Sequence, residues 1–466
     1  MQSMFPVASS DNTRVANHLG CPWGRRLSHD MSAGRSIVEC MFDELLMLDY
    51  SADESALVDR ISALERVKSI AAAAQARVTA ALDQKRRAAE AARGVPAAKR
   101  GRGLSSEIAL ARHDAPVLGS RHLGFATALV HEMPHTLAAL EAGVLSEWRA
   151  TLIVRESACL TLEDRRALDA ELCADMKDLA GMGNKRIAAA AKTIAYRLDP
   201  QAVVDRAVRA ESERTVTVRP APDTMSYVTA LLPMAQGVAV YAALKRSADT
   251  CGDGRGRGQV MADTLIERVT GRPADVPVPI AVEVVLTDET LLADDTHPAR
   301  VPGYGPVPAA VARRLISAAV DDEASRATLR RVYKHPRSGA LIAMESRARC
   351  FPKGLARFID LRDDTCRTPY CDAPIRHHDH AEPHHRDGPT SAANGLGACE
   401  RCNYVKEAPG WLVAAMADQQ GRHTAEFTTP TGARHRSTAP PLPGLVVADF
   451  SDMEIRIGIE YACPAA

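Results

Sequence analysis

Cys366-Arg367-Thr368-Pro369-Tyr370-Cys371 and Cys399-Glu400-Arg401-Cys402-Asn403 carry two cysteine pairs, C-x4-C and C-x2-C, separated by 27 residues. That spacing lets four thiolates surround one ion in the tetrahedral arrangement that suits Zn2+. A segment this short buries too little apolar surface to hold itself together, and a structural metal contributes on the order of 10 kcal/mol in its place. Cys366, Cys371, Cys399 and Cys402 are therefore assigned as structural zinc ligands. The remaining seven of the eleven cysteines are scattered singly. An odd total with no secretory leader argues against a disulfide framework.

Between the two pairs lie five of the fifteen histidines, His377, His378, His380, His384 and His385, together with Asp379 and Asn394. A purely structural zinc module needs only its cysteines, so these residues require another explanation. A neutral imidazole beside a carboxylate serves as a general base next to a hard cation. Consecutive residues of a strand point to opposite faces, so Asp379 and His380 need a bent backbone to act on one substrate. His377, His378, His384 and His385 are read as solvated loop residues.

Asp379-His380, Asn394 fourteen residues later, and Cys402-Asn403 followed by Lys406 resemble the HNH nuclease motif. The resemblance implies a zinc-stabilised, treble-clef-like ββα-metal module, a hairpin and a helix around one divalent cation. It makes His380 the general base that deprotonates water and gives Asp379 and Asn403 the catalytic Mg2+ or Mn2+. Asn394 would brace the hairpin and orient the histidine. The order of parts is similar to that of an actinobacterial family joining a helical domain of unknown function to a C-terminal HNH nuclease, repeat-associated mycobacterial proteins among them. A long helical region is followed by a basic segment, then Leu361-Arg362-Asp363-Asp364-Thr365-Cys366-Arg367, then a box ending in Gly410-Trp411. That likeness covers about residues 36–430. Cys402-Asn403 stands where the narrower group carries a histidine pair, and Gly395 and Ala398 replace larger apolar residues, which is expected to loosen the hairpin.

Outward from this box the chain reads as mainly α with a mixed α/β middle region. Residues 1–35 are expected to be a disordered leader and 36–212 a helical domain. Residues 213–350 form the mixed region, 351–411 the HNH module, and 412–466 C-terminal strands with a Pro-rich tail ending in a strand over Glu454–Tyr461. Leu57, Ile61, Leu64, Ala71, Ala74, Val78 and Ala81 recur at helical spacing. That stripe suits packing against the chain's own helices or a homodimer seam. Ile187, Ala191, Ile194 and Leu198 form a second stripe, stopped at Asp199-Pro200. Pro134–Ala142, Gly143 and a helix capped by Ser146 describe a helical hairpin, the geometry that a DNA-reading helix-turn-helix shares. Thr215–Val218, Met225–Leu232 and Pro279–Leu286 read as strands, with helices near Met234–Ser247 and Gln259–Thr270.

Fifty-eight basic and 58 acidic residues cancel to zero net charge, which excludes a bulk polybasic binder. The sum conceals a patch. Residues 326–357 hold nine Arg and Lys against Glu345, a net of +8. Arg347, Arg349, Lys353 and Arg357, with Lys406, are the candidate DNA contacts. Neither a P-loop nor a G-x-S-x-G signature is present. No run is long and apolar enough to span a membrane, so a cytoplasmic, membrane-free location is expected. The two functional expectations are an endonuclease hydrolysing DNA phosphodiesters, and a zinc-stabilised DNA-binding or regulatory protein of mobile-element origin that does not cut.

Overall fold

Alanine shapes the first half of the chain, because a helix rich in it has high propensity and a thin side that lets neighbouring backbones approach. The computed structural model describes residues 51–276, 283–292, 295–321, 345–346, 350–419 and 421–444. The expected leader, the Glu454–Tyr461 strand, Arg347, Arg349 and most of the basic stretch lie outside the described residues. The described chain is mainly helical with small sheets. Residues up to Lys68 and from Ser69 onward form two compact units.

Helix α1 runs Glu54–Ala92, with Asp53 accepting from the Ala56 amide at its start. Its buried face is Ser69, Ala72, Ala73, Ala76, Thr79 and Ala80. The face predicted from sequence is turned outward instead: Ile61 is 66% and Val78 69% exposed. Where 13 of 39 residues are alanine, seven of them between Ala71 and Ala81, the apolar pattern has no sharp phase, and the smallest side chains win the contact because they pack closest.

Seven further helices come next: α2 Leu104–Ala111, α3 Gly119–His131, α4 Pro134–Glu141, α5 Glu147–Glu156, α6 Leu162–Cys173, α7 Asn184–Leu198 and α8 Pro200–Ser212. Their shared core is Phe125, Leu129, Met133, Leu140, Leu145, Ile153, Leu168 and Ile187 with the alanines of α1. Caps fix the helix starts. Ser146 accepts from Arg149 N, and Thr161 and Asp199 do the same for α6 and α8. The first turn of α4 is capped from another helix, since the fully buried Asp169 accepts from the amides of His135 and Thr136 at 2.7 and 2.8 Å.

The mixed region opens with an antiparallel hairpin, β1 Thr215–Pro220 and β2 Ser226–Leu231, followed by helices α9 Met234–Thr250 and α10 Arg257–Thr270, which pack on each other. A short helix α11, Asp288–Leu292, leads to a small hairpin, β3 Ala299–Val301 and β4 Gly305–Val307. The Tyr304 hydroxyl donates to Met225 O at 2.8 Å and ties this hairpin to the turn of the first. Of the predicted strand Pro279–Leu286, Val285 makes one antiparallel bridge to Arg300, and 279–282 lie outside the described residues. Helix α12, Ala309–Asp321, closes the region.

The last part comprises β5 Glu345–Ser346, α13 Lys353–Asp363, β6 His377–His380, β7 Thr390–Ser391, β8 Gly395–Ala398, α14 Glu400–Lys406, and β9 Leu412–Ala417, β10 His423–Thr428 and β11 Arg434–Thr438. Strand β6 pairs antiparallel with β8 from His377↔Ala398 to His380↔Gly395. β9–β11 form an antiparallel meander ordered β11-β10-β9. Ala381 and Leu396 share a core with Val413, Ala425 and Phe427. Through this core the meander packs on the β6–β8 hairpin. No described helix is long and apolar enough to cross a membrane.

One close approach seats the helical part. A Cβ on Gly119 would lie 1.7 Å from the Ser105 carbonyl oxygen, so α3 can lie against α2 only with glycine there. Gly119→Ala should lower stability by about 1–3 kcal/mol through forced separation of the two helices. Urea unfolding measures this, and an unchanged midpoint would remove the contact from the account.

Candidate metal centre and hairpin–helix site

The four cysteines converge. The sulfur atoms of Cys366, Cys371, Cys399 and Cys402 all lie within 4.8 Å of one another. The first pair sits on a tight turn in which Cys371 N donates to Thr368 O and Tyr370 takes a left-handed φ of 61°. The second pair opens α14: Cys399 is the N-cap and its sulfur accepts from Cys402 N at 3.4 Å. Three of the four are buried. Hydrogen bonding with the Cys371 thiol brings Cys366 down to about 7, and bonding with Cys366 holds Cys399 lower still. The same contacts push Cys371 and Cys402 up. Four thiols this close cannot all ionise without a cation among them, and one metal ion resolves that conflict. These four side chains could hold a metal ion.

The hairpin above this cluster is held by buried charge. Arg362, at the end of α13, donates to the carbonyls of Ala392 and Gly395 and pairs with Asp363 at 2.7 Å. Asp363, fully buried, accepts from Gly397 N at 2.7 Å, and Arg367 N donates to Gly397 O at 2.9 Å. Arg367 also reaches the carbonyls of His423 and Ser437 in the meander. Strand β8 is thereby gripped from both sides. Gly395 and Gly397 leave no holes: a Cβ at Gly395 would meet Ile359 at 2.6 Å and Phe351 at 2.8 Å, and one at Gly397 would meet Ile375 at 2.4 Å. At Gly395, where a looser hairpin is expected from the sequence, Ile359 and Phe351 fill the space a side chain would take.

His380 ends β6 and is 6% exposed. Its Nε2 is 2.8 Å from Thr390 Oγ1, and its ring lies against Phe351, with centroids 4.7 Å apart. Burial lowers its pKa, favouring the neutral ring. Asp379 faces the other side, where its Oδ2 pairs with Lys406 Nζ at 2.7 Å. The strand is regular through both residues, so the expected bend is absent. They meet only at its end, with His380 Nδ1 3.8 Å from Asp379 Oδ1.

Asn394 is buried beneath the connecting loop. Its side chain accepts from Glu382 N at 2.9 Å and donates to the carbonyls of Glu382 and Pro389 at 3.0 and 2.9 Å. Asn403 lies in α14, packed against β6, and its Oδ1 is buried with no hydrogen-bond partner.

The described candidate DNA contacts, Lys353, Arg357 and Lys406, have different surroundings. Lys353 opens α13 and is exposed, Arg357 is paired with Glu283, and Lys406 is turned inward rather than toward a ligand surface. Of the loop histidines, His384 and His385 are exposed. His378 instead bonds Asp360 at 2.7 Å, and His377 approaches the Tyr404 ring.

Thr390, Glu407 and His423 join the site without a sequence signal of their own. Only the charged run around Arg362 in an otherwise apolar helix end hints at a supporting network. His423 donates from Nε2 to Ala393 O at 3.0 Å, and its Nδ1 is buried without a partner.

The helical part reaches this body directly. Glu107 of α2, 4% exposed, pairs with Arg86 at 2.9 Å and accepts from the Thr431 amide and hydroxyl at 3.1 and 2.5 Å. Arg401 of α14 donates to the hydroxyls of Ser105 and Ser120. Leu110 packs with Ala408 and Trp411, and His113 stacks on Tyr370.

Residues 63–363 match the family described as Domain of unknown function (DUF222). The chain belongs to this family. The matched stretch ends at Asp363, so the four cysteines, the β6–β8 hairpin and α14 all lie beyond the family domain, while its last residue supplies the carboxylate that grips β8. No curated protein and no solved structure matches the chain.

The geometry makes two outcomes measurable. Purified protein should carry one tightly held metal ion per chain, and Cys402→Ser should lose it, as elemental analysis can show. His423 has its pKa depressed to about 4 by burial, with the nearby Arg362 guanidinium acting in the same direction. The unfolded chain therefore binds the extra proton first as pH falls. Stability from this residue is full above about 6.5 and falls by roughly 1.4 kcal/mol per pH unit between there and about 4. His423→Gln should flatten that part of the stability profile relative to wild type, and parallel profiles would count against it.

Proposed function

We propose that the protein is a metal-dependent endonuclease of HNH type that hydrolyses DNA phosphodiester bonds. The observation that carries this reading is the placement of Asp379 and His380 at the end of β6, with His380 Nδ1 3.8 Å from Asp379 Oδ1, beside the helix that carries Asn403, with Asn394 bracing the loop and four clustered cysteines close in sequence. Membership of a family commonly found with HNH proteins supports it. The ion at the cysteines is structural Zn2+, the metal best suited to four thiolates.

The donor set also fits a second, harder cation. Asn403 offers a buried carbonyl oxygen that no described residue satisfies, and Asp379 offers a carboxylate on the facing strand. Both are oxygen ligands of the kind Mg2+ and Mn2+ take. Bound there, such an ion supplies charge stabilisation to the scissile phosphate and the departing oxygen.

The remaining chemistry belongs to the chain. Thr390 occupies Nε2 of His380, which leaves Nδ1, on the Asp379 side, to take the proton from the attacking water. Burial keeps that ring neutral and ready to accept it. Asn394 closes the loop between β6 and β8 and fixes the strand end from which His380 projects.

Plasmid cleavage with added Mg2+ or Mn2+ tests the reading. His380→Ala should leave DNA binding intact and reduce cleavage about 10²- to 10⁴-fold. Equal cutting by the variant would sink the assignment. Salt-sensitive binding with no cutting by either protein would favour the non-cleaving, zinc-stabilised DNA-binding alternative.

A further inference from the structure

We propose that Lys406 is a built-in counter-ion that holds Asp379 in the place of the catalytic cation, and that Glu407 is the acceptor to which its ammonium withdraws when the cation arrives. This rests on the HNH reading and adds an internal competitor to that site.

The Lys406 side chain is 6% exposed, which is unusual for a lysine and tolerable only where all its donors are used. They are. Nζ lies 2.7 Å from Asp379 Oδ2, 3.0 Å from His380 O and 2.8 Å from Glu407 Oε1. An ammonium has three donors, so this set is complete. Lys406 and Asn403 are three residues apart on α14 and share one face of the helix. One turn therefore presents an oxygen left without a partner and, beside it, a positive charge already seated on the carboxylate opposite.

A divalent cation and an ammonium on one carboxylate, here only 28% exposed, repel each other, and they compete outright for the same oxygen. For Asp379 to bind metal through Oδ2, Lys406 must let go. Glu407 makes that exchange cheap: its side chain is 45% exposed, so an ammonium that keeps this partner and leaves the other two gains water in their place. Until the cation binds, the same ammonium, through its bond to the His380 carbonyl, pins the strand end that carries the general base.

The test is Mn2+ binding to the zinc-replete full-length protein, followed by electron paramagnetic resonance of the free ion. Wild type is compared with Lys406→Met, Glu407→Gln and the double variant, and Asp379→Asn identifies the site. Lys406→Met should tighten the Asp379-dependent binding on the order of 10-fold. Glu407→Gln should weaken it several-fold in the wild-type background and have no effect once Lys406 is gone. Lys406→Gln, which keeps two donors without the charge, repeats the measurement if the methionine variant does not fold. Unchanged or weaker binding in the lysine variants overturns the exchange, and so does a Glu407→Gln effect of equal size in both backgrounds, which would make Glu407 an ordinary ligand. Asp379-dependent binding that ignores Lys406 removes the exchange alone and leaves the HNH reading standing. Absence of Asp379-dependent binding in every variant removes both.

Discussion

The buried carboxylate of Asp363 is the constraint on which the C-terminal body depends. It has no access to water, and it is balanced by Arg362 and Arg367 and by the amide of Gly397. Charges buried this deeply are tolerated only when they are paired, and removing one partner strands the others at a cost of about 3–5 kcal/mol. The network therefore fixes α13, β8 and the meander relative to one another. Two glycines in β8 are required as a result, since Ile359, Phe351 and Ile375 occupy the volume where their side chains would stand. The placement of His380, Asp379 and α14 depends in turn on where β8 is held.

Much of this is legible in the residues, and the exceptions have physical causes. The cysteine spacing points to a four-sulfur cluster because ligand geometry constrains spacing tightly. Helices ended by Asp199-Pro200 and Gly143, and the turn between β1 and β2, arise from local backbone chemistry and stand within a residue or two of expectation. The buried face of α1 departs in phase from the apolar stripe because an alanine-rich helix offers period without contrast. Lys406 reads as a surface cation in sequence, since composition cannot reveal that its charge is spent on Asp379. The supporting roles of Thr390, Glu407 and His423 arise from contacts made in three dimensions and leave no spacing in the chain.

The boundary of the family domain at Asp363 is sharper in sequence than in space. Arg362 and Asp363, the last two matched residues, act on β8 rather than on the helices that precede them. Arg401 and Trp411, both beyond the match, make their contacts with α2 and α3. The helix carrying Cys402, Asn403 and Lys406 is thus buttressed by the helical part on one side and by the hairpin on the other. A substitution in either can shift that helix without touching a metal ligand.

The bond between Glu107 and Thr431 joins residues 324 positions apart. During synthesis the helical part, with Glu107 and its partner Arg86, emerges before Thr431. The last partner of Glu107 is synthesised 324 positions later. The contact closes a long loop, so the helical part is synthesised well before the four cysteines and the strands that pack beside them.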